Sequence, residues 1–188
     1  VSPEDDIEVR GVRITNRSRQ RREVGITSYA EVVIAPPAAD ALHPAFSNLF
    51  VETELVPDQE AIVVTRRPRS GNEEPLWMIH HITVDGTTTG RVSYETSREA
   101  FLGRGRTTAD PIALYSEHLG DSAGAVLDPI VAIRRVVVLE PHASAQLHIV
   151  TGVCATRDLA IGLIEKYRDR HAGARVFELS WTHSQVLQ

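Results

Sequence analysis

The stretch Gly124 to Val153, GAVLDPIVAIRRVVVLEPHASAQLHIVTGV, decides how the rest of the chain is read. Two β-rich arms flank a Pro-His-Ala-Ser turn at Pro141 to Ser144. On the second arm Leu147, Ile149, Thr151 and Val153 share one face, and His148, Val150 and Gly152 share the other. A period of two marks a half-buried antiparallel strand. The first arm is almost continuously apolar from Val136 to Leu139, which places it deep in a stack of sheets. The two arms are expected to pair as a hairpin, and a hairpin this long needs a second layer over its apolar face.

Working outward, the flanking sequence supplies that layer. Ile7 and Val9 lie on one parity, Val12 and Ile14 on the other, which predicts a bulge at Arg10-Gly11. Asn16 to Arg22 reads as a turn, and Val24 to Ile34 as a long strand stopped by Pro36-Pro37. Together these predict a first hairpin. Pro36 to Pro44 reads as a loop. Asn48 to Val56 and Ala61 to Thr65 are strands around Pro57-Asp58. Leu76 to Val84 and Gly90 to Thr96 flank Asp85-Gly86, a strong hairpin signal. Ser97 to Ala123 is glycine-rich and reads as an ordered functional loop with one helical turn. After Val153 the period lengthens. Thr156 is a helix N-cap, Leu159, Leu163, Ile164 and Tyr167 follow at helical spacing, and Ala172-Gly173 ends the helix. Val176, Leu179 and His183 predict a second helix running to Gln188. The fold class is therefore mainly β: an antiparallel β-sandwich over residues 1–155, then two helices over residues 156–188.

Composition sets limits. The chain has 188 residues, 42% hydrophobic and 24% charged, with a net charge of −5. That suits one globular domain and argues against nucleic acid, which favours a basic domain. The densest cationic cluster, Arg17, Arg19, Arg21 and Arg22, reads as a solvated turn, with an anion or partner contact as the alternative. The one cysteine, Cys154, excludes an intramolecular disulfide and reads as a buried structural thiol. No run approaches the ~18 apolar residues of a membrane span, so no direct membrane insertion is expected. The chain enters a strand directly after Val-Ser-Pro, which predicts a piece of a longer protein.

Few residues carry chemistry. Phe101-Leu102-Gly103-Arg104-Gly105-Arg106 combines two glycines with two arginine forks, and Asp110 adds an acceptor. Arg104, Arg106 and Asp110 are the candidate ligand-binding residues, weighed against an ordinary loop with surface arginines. His80-His81 are strand neighbours on opposite faces and cannot chelate one ion, and no histidine spacing suggests a metal. No cofactor motif is present. Glycosidase chemistry needs two carboxylates about 5–10 Å apart, but Glu52, Glu54, Glu95 and Asp128 cannot be paired from sequence. No nucleophile elbow exists. Trp77, Trp181, Phe46, Phe50 and Tyr94 are read as core before sugar platforms.

Five stretches in order cover nearly the whole chain: VSPEDDIEVRGVRITNRS, TSYAEVVIAPPAADALHPAFSNLFVETE, FLGRGRTTADPIAL, GAVLDPIVAIRRVVVLEP, and KYRD with ELSWTHSQV. Together they resemble the sandwich domain of cyclic β-1,2-glucan synthases, related to the N-terminal domain of cellobiose- and chitobiose-phosphorylase-type glycoside phosphorylases. The resemblance implies a supersandwich (galactose-mutarotase-like) fold whose helices lead to an (α/α)6 barrel absent from this chain. It implies that the catalytic acid lies in that barrel and that the sandwich is non-catalytic. It also implies a parent that builds glucan from UDP-glucose at the cytoplasmic face of a bacterial inner membrane. The HPAFSNLFVETE and FLGRGR segments resemble the upstream of the parent's sandwich copies. The expected partners are β-1,2-linked glucan or another glucose-containing substrate, neighbouring domains, and a second copy meeting a truncated sheet edge. The competing expectation is a pure scaffold or dimerisation domain with no sugar contact.

Overall fold

The computed structural model describes residues 1–68, 71 and 73–186, the side chains of residues 170, 183 and 186 excepted, and among the described residues apolar runs form nine strands. The strands are β1 (Ile7–Thr15), β2 (Arg22–Thr27), β3 (Ala30–Glu31), β4 (Val51–Val56), β5 (Ala61–Arg66), β6 (Trp77–Asp85), β7 (Thr87–Ser97), β8 (Pro129–Leu139) and β9 (Ser144–Cys154). The helices are α1 (Pro37–Leu42), α2 (Pro44–Asn48), α3 (Arg98–Leu102), α4 (Arg157–Arg168) and α5 (Arg170–Val186). Thr156 caps α4 as expected, its hydroxyl accepting from Leu159 N–H at 3.2 Å. The expected side-chain position of His183 and the run to Gln188 lie outside the described residues.

The two arms of the opening stretch do not pair with each other. β9 lies in a five-stranded antiparallel sheet ordered β1-β9-β6-β5-β4. β8 is the centre of the opposing sheet, with β2 on one side and β7 on the other. β3 continues the register of β2 along β8, from Thr27↔Arg134 to Ala30↔Val131. The Pro141 turn is therefore a corner between sheets. The same correction applies to the other two expected hairpins. β1 pairs with β9 while β2 pairs with β8, and β6 pairs with β9 while β7 pairs with β8. Of the expected hairpins, only that of β4 and β5 forms. A turn signal reports a reversal of direction, and crossing to the facing sheet satisfies it as well as pairing does.

Apolar residues on both faces of these strands explain the choice. Val131, Ile133, Val137 and Leu139 of β8 pack into the sandwich with Ile62, Val64, Ile82, Ala145 and Leu147. Ile130 and Ala132 face the other way, under Phe101, Leu102, Ala113 and Leu119. Across the sandwich, Ile7, Val9, Val150, Val63 and Ile79 pack beneath Ala160, Ile164, Tyr167 and Val176 of the C-terminal helices. The order of layers is thus helices, first sheet, second sheet, loop. Burying a side chain such as Leu147 or Ile133 contributes about 2 kcal/mol.

Three local expectations are corrected. β1 holds one register from Ile7↔Gly152 to Thr15↔Ser144, with no bulge at Gly11. Its parity switch arises because Ile7 and Val9 meet the helices while Ile14 meets the sandwich core. The α4 break falls at Asp169, whose carboxylate accepts from His171 N–H at 2.9 Å. Gly173 lies inside α5, where a Cβ would stand 2.6 Å from His148 Nδ1, so glycine lets the helix lie close on the sheet. The Pro36 to Pro44 segment is helical from Pro37, a residue suited to a first helical turn.

Side chains cross between the layers. Arg135 of β8 reaches the first sheet, donating to the Glu60 carboxylate and, at 3.3 Å, to Ile82 C=O. Ser28, at the break between β2 and β3, has Oγ 2.8 Å from His80 Nε2, and His80 Nδ1 lies 2.9 Å from Thr151 Oγ1. Burial pushes His80 down to about 4 and His81 down to about 3. Both are therefore neutral in the fold. The unfolded chain takes up these protons below about pH 6.5 and the folded chain resists until about pH 4, so stability falls as pH drops through that window. The expected loss is about 1 kcal/mol per pH unit for each histidine. Urea midpoints at pH 7, 6 and 5 test this. His81→Leu is expected to lower the slope by about 1 kcal/mol per pH unit and to raise the midpoint at pH 5, because His81 Nε2 is buried without a hydrogen-bond partner.

Candidate functional site

The segment between β7 and β8 builds a layer of its own. Ser97 caps α3, its hydroxyl accepting from Ala100 N–H at 3.3 Å. Phe101 and Leu102 turn onto the outer face of β8, and Tyr29 stacks on Phe101 with ring centroids 5.0 Å apart. Arg134 holds the layer down. Its guanidinium donates to Ala113 C=O at 2.8 Å and to Ser116 C=O at 2.5 Å, while its Nε donates to Thr27 Oγ1 at 2.9 Å. Two adjacent arginines in an apolar strand, not singled out from sequence, are the signal that marks this. On opposite faces, Arg134 grips the loop and Arg135 grips the other sheet.

The segment also closes the side of the sandwich. Asp121 accepts from Tyr94 N–H at 2.7 Å, and Gly124 exchanges both backbone hydrogen bonds with Thr53 of edge strand β4, at 2.7 and 3.0 Å. Glu95, buried at 3% exposure, accepts through one oxygen from Thr96 N–H, Ser97 N–H and the Ser122 hydroxyl. This carboxylate organises backbone. Glu52 and Glu54 are half-exposed and paired with Arg67 and Arg157.

Arg106 and Asp110 are brought together, Arg106 Nη1 donating to Asp110 Oδ2 at 3.0 Å. Tyr115 completes the group: its hydroxyl donates to Asp110 Oδ1 at 2.7 Å, and the guanidinium sits 4.9 Å above its ring. Arg104 is exposed and has no ion pair among the described residues. The two glycines shape the loop. Gly103 ends α3 at φ +80°, where a Cβ would meet Ile112 Cγ2 at 2.9 Å, and Gly105 has φ +72° in open space.

Arg106 also lines a hollow of about 330 Å³ with Ser97, Arg98, Glu99, Leu102, Gly103, Leu127 and Asp128. Arg98 and Asp128 in this hollow were not singled out together from sequence, since thirty residues separate them. Arg98 engages Asp128 at 3.4 Å and Glu31 at 3.2 Å, and Asn48 Nδ2 donates to Asp128 at 3.3 Å. The hollow thus offers guanidinium and carboxylate groups beside apolar Leu102 and Leu127, the mixture that hydroxylated ligands take.

Other candidates separate. His80 faces the sandwich interior and His81 the helix side, and no group of three metal-ligating side chains occurs among the described residues. Cys154 is part-buried, its thiol pushed up by burial. Tyr94 is core, whereas Trp181 is 70% exposed and Phe46 half-exposed. No helix among the described residues is long and apolar enough to cross a membrane.

Two antiparallel sheets, helices on one outer face and a loop layer on the other, define an open β-sandwich. The model of the glycosyl hydrolase 94 supersandwich domain matches residues 1–170, and the chain belongs to that family. It is 34% identical over 187 residues to cyclic beta-(1,2)-glucan synthase NdvB of Rhizobium meliloti (strain 1021), covering 99% of this chain. It is 24% identical over 166 residues to solabiose phosphorylase of Paenibacillus borealis, covering 88% of this chain. The chain spans 7% of the first relative and 20% of the second.

Gly103→Ala is expected to destabilise by about 2–3 kcal/mol, because positive-φ strain and the Ile112 contact add. Gly105→Ala is expected to lose about 1 kcal/mol from φ alone. Urea denaturation of the pair distinguishes them. Arg134→Met, which frees three carbonyls, is expected to cost about 3 kcal/mol and to speed amide exchange in residues 113–119 more than in the sheets.

Proposed function

We propose that this domain is a non-catalytic sandwich segment of a larger glucan-building or glucan-phosphorolysing enzyme, in which it meets β-1,2-linked glucan at the rim hollow. The carrying observation is the match of nearly the whole chain to a small fraction of a glucan synthase. Arg104 and Arg106 are the donors and Asp110 the acceptor for sugar hydroxyls; Arg106 lines the hollow with Arg98 and Asp128, and Arg104 and Asp110 stand on the loop beside it. Asp110 and Tyr115 hold Arg106 in one orientation, which lowers the entropy lost on binding. The catalytic acid belongs to another part of the parent. The placement that goes with this reading is the cytoplasmic face of a bacterial inner membrane.

A second reading is a scaffold that holds neighbouring domains or a second copy. Exposed Leu114, Tyr115 and Leu127 on the loop layer and Trp181 on α5 favour it. Calorimetric titration with millimolar β-1,2-glucan separates the two. Heat that disappears in Arg104→Ala/Arg106→Ala supports glucan contact. No heat from the unsubstituted chain, together with concentration-dependent dimerisation, overturns glucan contact in favour of the scaffold.

A further inference from the structure

The three sheet-switching corners, at residues 15–22, 85–87 and 139–144, all lie at one end of the sandwich. The rim hollow lies at the other, because β7 runs toward it and β8 starts from it. The corner end carries a charge pattern that the glucan reading does not use. Between Arg10 and Arg22 the chain has six arginines and no acidic residue, in a molecule of net charge −5.

We infer that the β1–β2 corner is a docking surface for an anionic phospholipid bilayer, met through Arg13, Arg17, Arg19 and Arg22. All four are exposed and make no ion pair among the described residues. The other arginines whose side chains are described have partners, Arg104 excepted. Within the corner, Arg10 is paired with Glu8, and Arg21 with Glu23 and Glu140. Asp85 and His142 stand at the neighbouring corners.

The platform beneath these arginines is rigid. Asn16 is buried at 6% exposure and donates to Gln20, Leu139 and Glu140 carbonyls at 2.7, 3.0 and 3.1 Å. It also accepts from Ser18 N–H at 2.9 Å, and its own N–H donates to Ala143 C=O at 2.9 Å. The turn that carries Arg17 and Arg19 between the two strands is therefore held in place.

The shape selects the partner. Arg13 lies in β1, Arg17 and Arg19 in the turn and Arg22 in β2, so the four are spread along the corner and suit several phosphates better than one small anion. Single-stranded nucleic acid takes a basic groove with aromatic stacking platforms, and residues 10–22 contain no aromatic. A surface of many phosphates suits several unpaired guanidiniums along one corner, which fork phosphate oxygens. Clusters of four or more arginines bind anionic leaflets with about fivefold per residue. Docking by this end would turn the rim hollow away from the bilayer.

Co-sedimentation of the 188-residue chain with phosphatidylcholine vesicles, with and without phosphatidylglycerol, tests the surface. Binding is expected only with phosphatidylglycerol at low salt, and is expected to fall at least tenfold at high salt as screening shortens. Arg13→Gln/Arg17→Gln/Arg19→Gln/Arg22→Gln is expected to lose about fiftyfold or more while keeping its urea midpoint, and Arg104→Gln to stay within about twofold. Absence of binding to phosphatidylglycerol vesicles at low salt, or undiminished binding by the fourfold variant, overturns the inference. Binding to soluble poly-glutamate or single-stranded DNA with none to vesicles also overturns it.

Discussion

Burial of β8 on both faces is the constraint on which the rest depends. A strand with Val131, Ile133, Val137 and Leu139 on one side and Ile130 and Ala132 on the other needs a layer above and a layer below. β9 cannot supply the first as a hairpin partner in the same sheet, so the chain turns the Pro141 corner and enters the facing sheet. The segment between β7 and β8 supplies the second. Arg134 and Arg135 sit within that strand, and each donates to a different neighbouring layer. A buried guanidinium is costly alone and stable when its donors reach acceptors, as those of Arg134 do.

The layering separates two kinds of surface. The sheet-switching corners gather at one end, where the hydrogen bonds of Asn16 tie the β1–β2 corner, with its unpaired arginines, to the β8–β9 corner. The loop layer ends at the other, where Arg98, Arg106 and Asp128 share a hollow with Leu102 and Leu127. The carboxylates considered as catalytic partners are structural or ion-paired: Glu95 binds backbone N–H groups, and Asp128 is engaged by Arg98 and Asn48. The helices belong to the same logic. Tyr167 and Ile164 cover the first sheet, and Asp5 ties the N-terminal segment to Lys166 and Tyr167, each donating at 2.6 Å.

Much of the candidate site was legible in sequence as residue types and little of it as geometry. Arg106 and Asp110 are four residues apart and meet through local chain folding. Tyr115 joins them because the short 3-10 turn at Ile112–Tyr115 returns the chain over the same spot. Arg98 with Glu31 and Asp128 was not legible. Those residues come from three separate segments, and only strand pairing across β3 and β8 brings them together. Gly103 and Gly105 read as places for a ligand to approach, yet Gly103 is filled by Ile112.

The sequence by itself determined that the chain is mainly antiparallel β with two C-terminal helices, that Thr156 caps the first helix, and that His80 and His81 face opposite ways. These follow from periodicity, capping chemistry and the alternation of Cβ atoms, all local properties. Only the tertiary structure decided which strands share a sheet. A reversal of direction at Asn16, Asp85 or Pro141 leads equally well to a neighbouring strand or to the facing sheet, and local turn chemistry does not distinguish them. Burial does: apolar residues on both faces of β8 and β9 reach their partners only when the two strands lie in different layers.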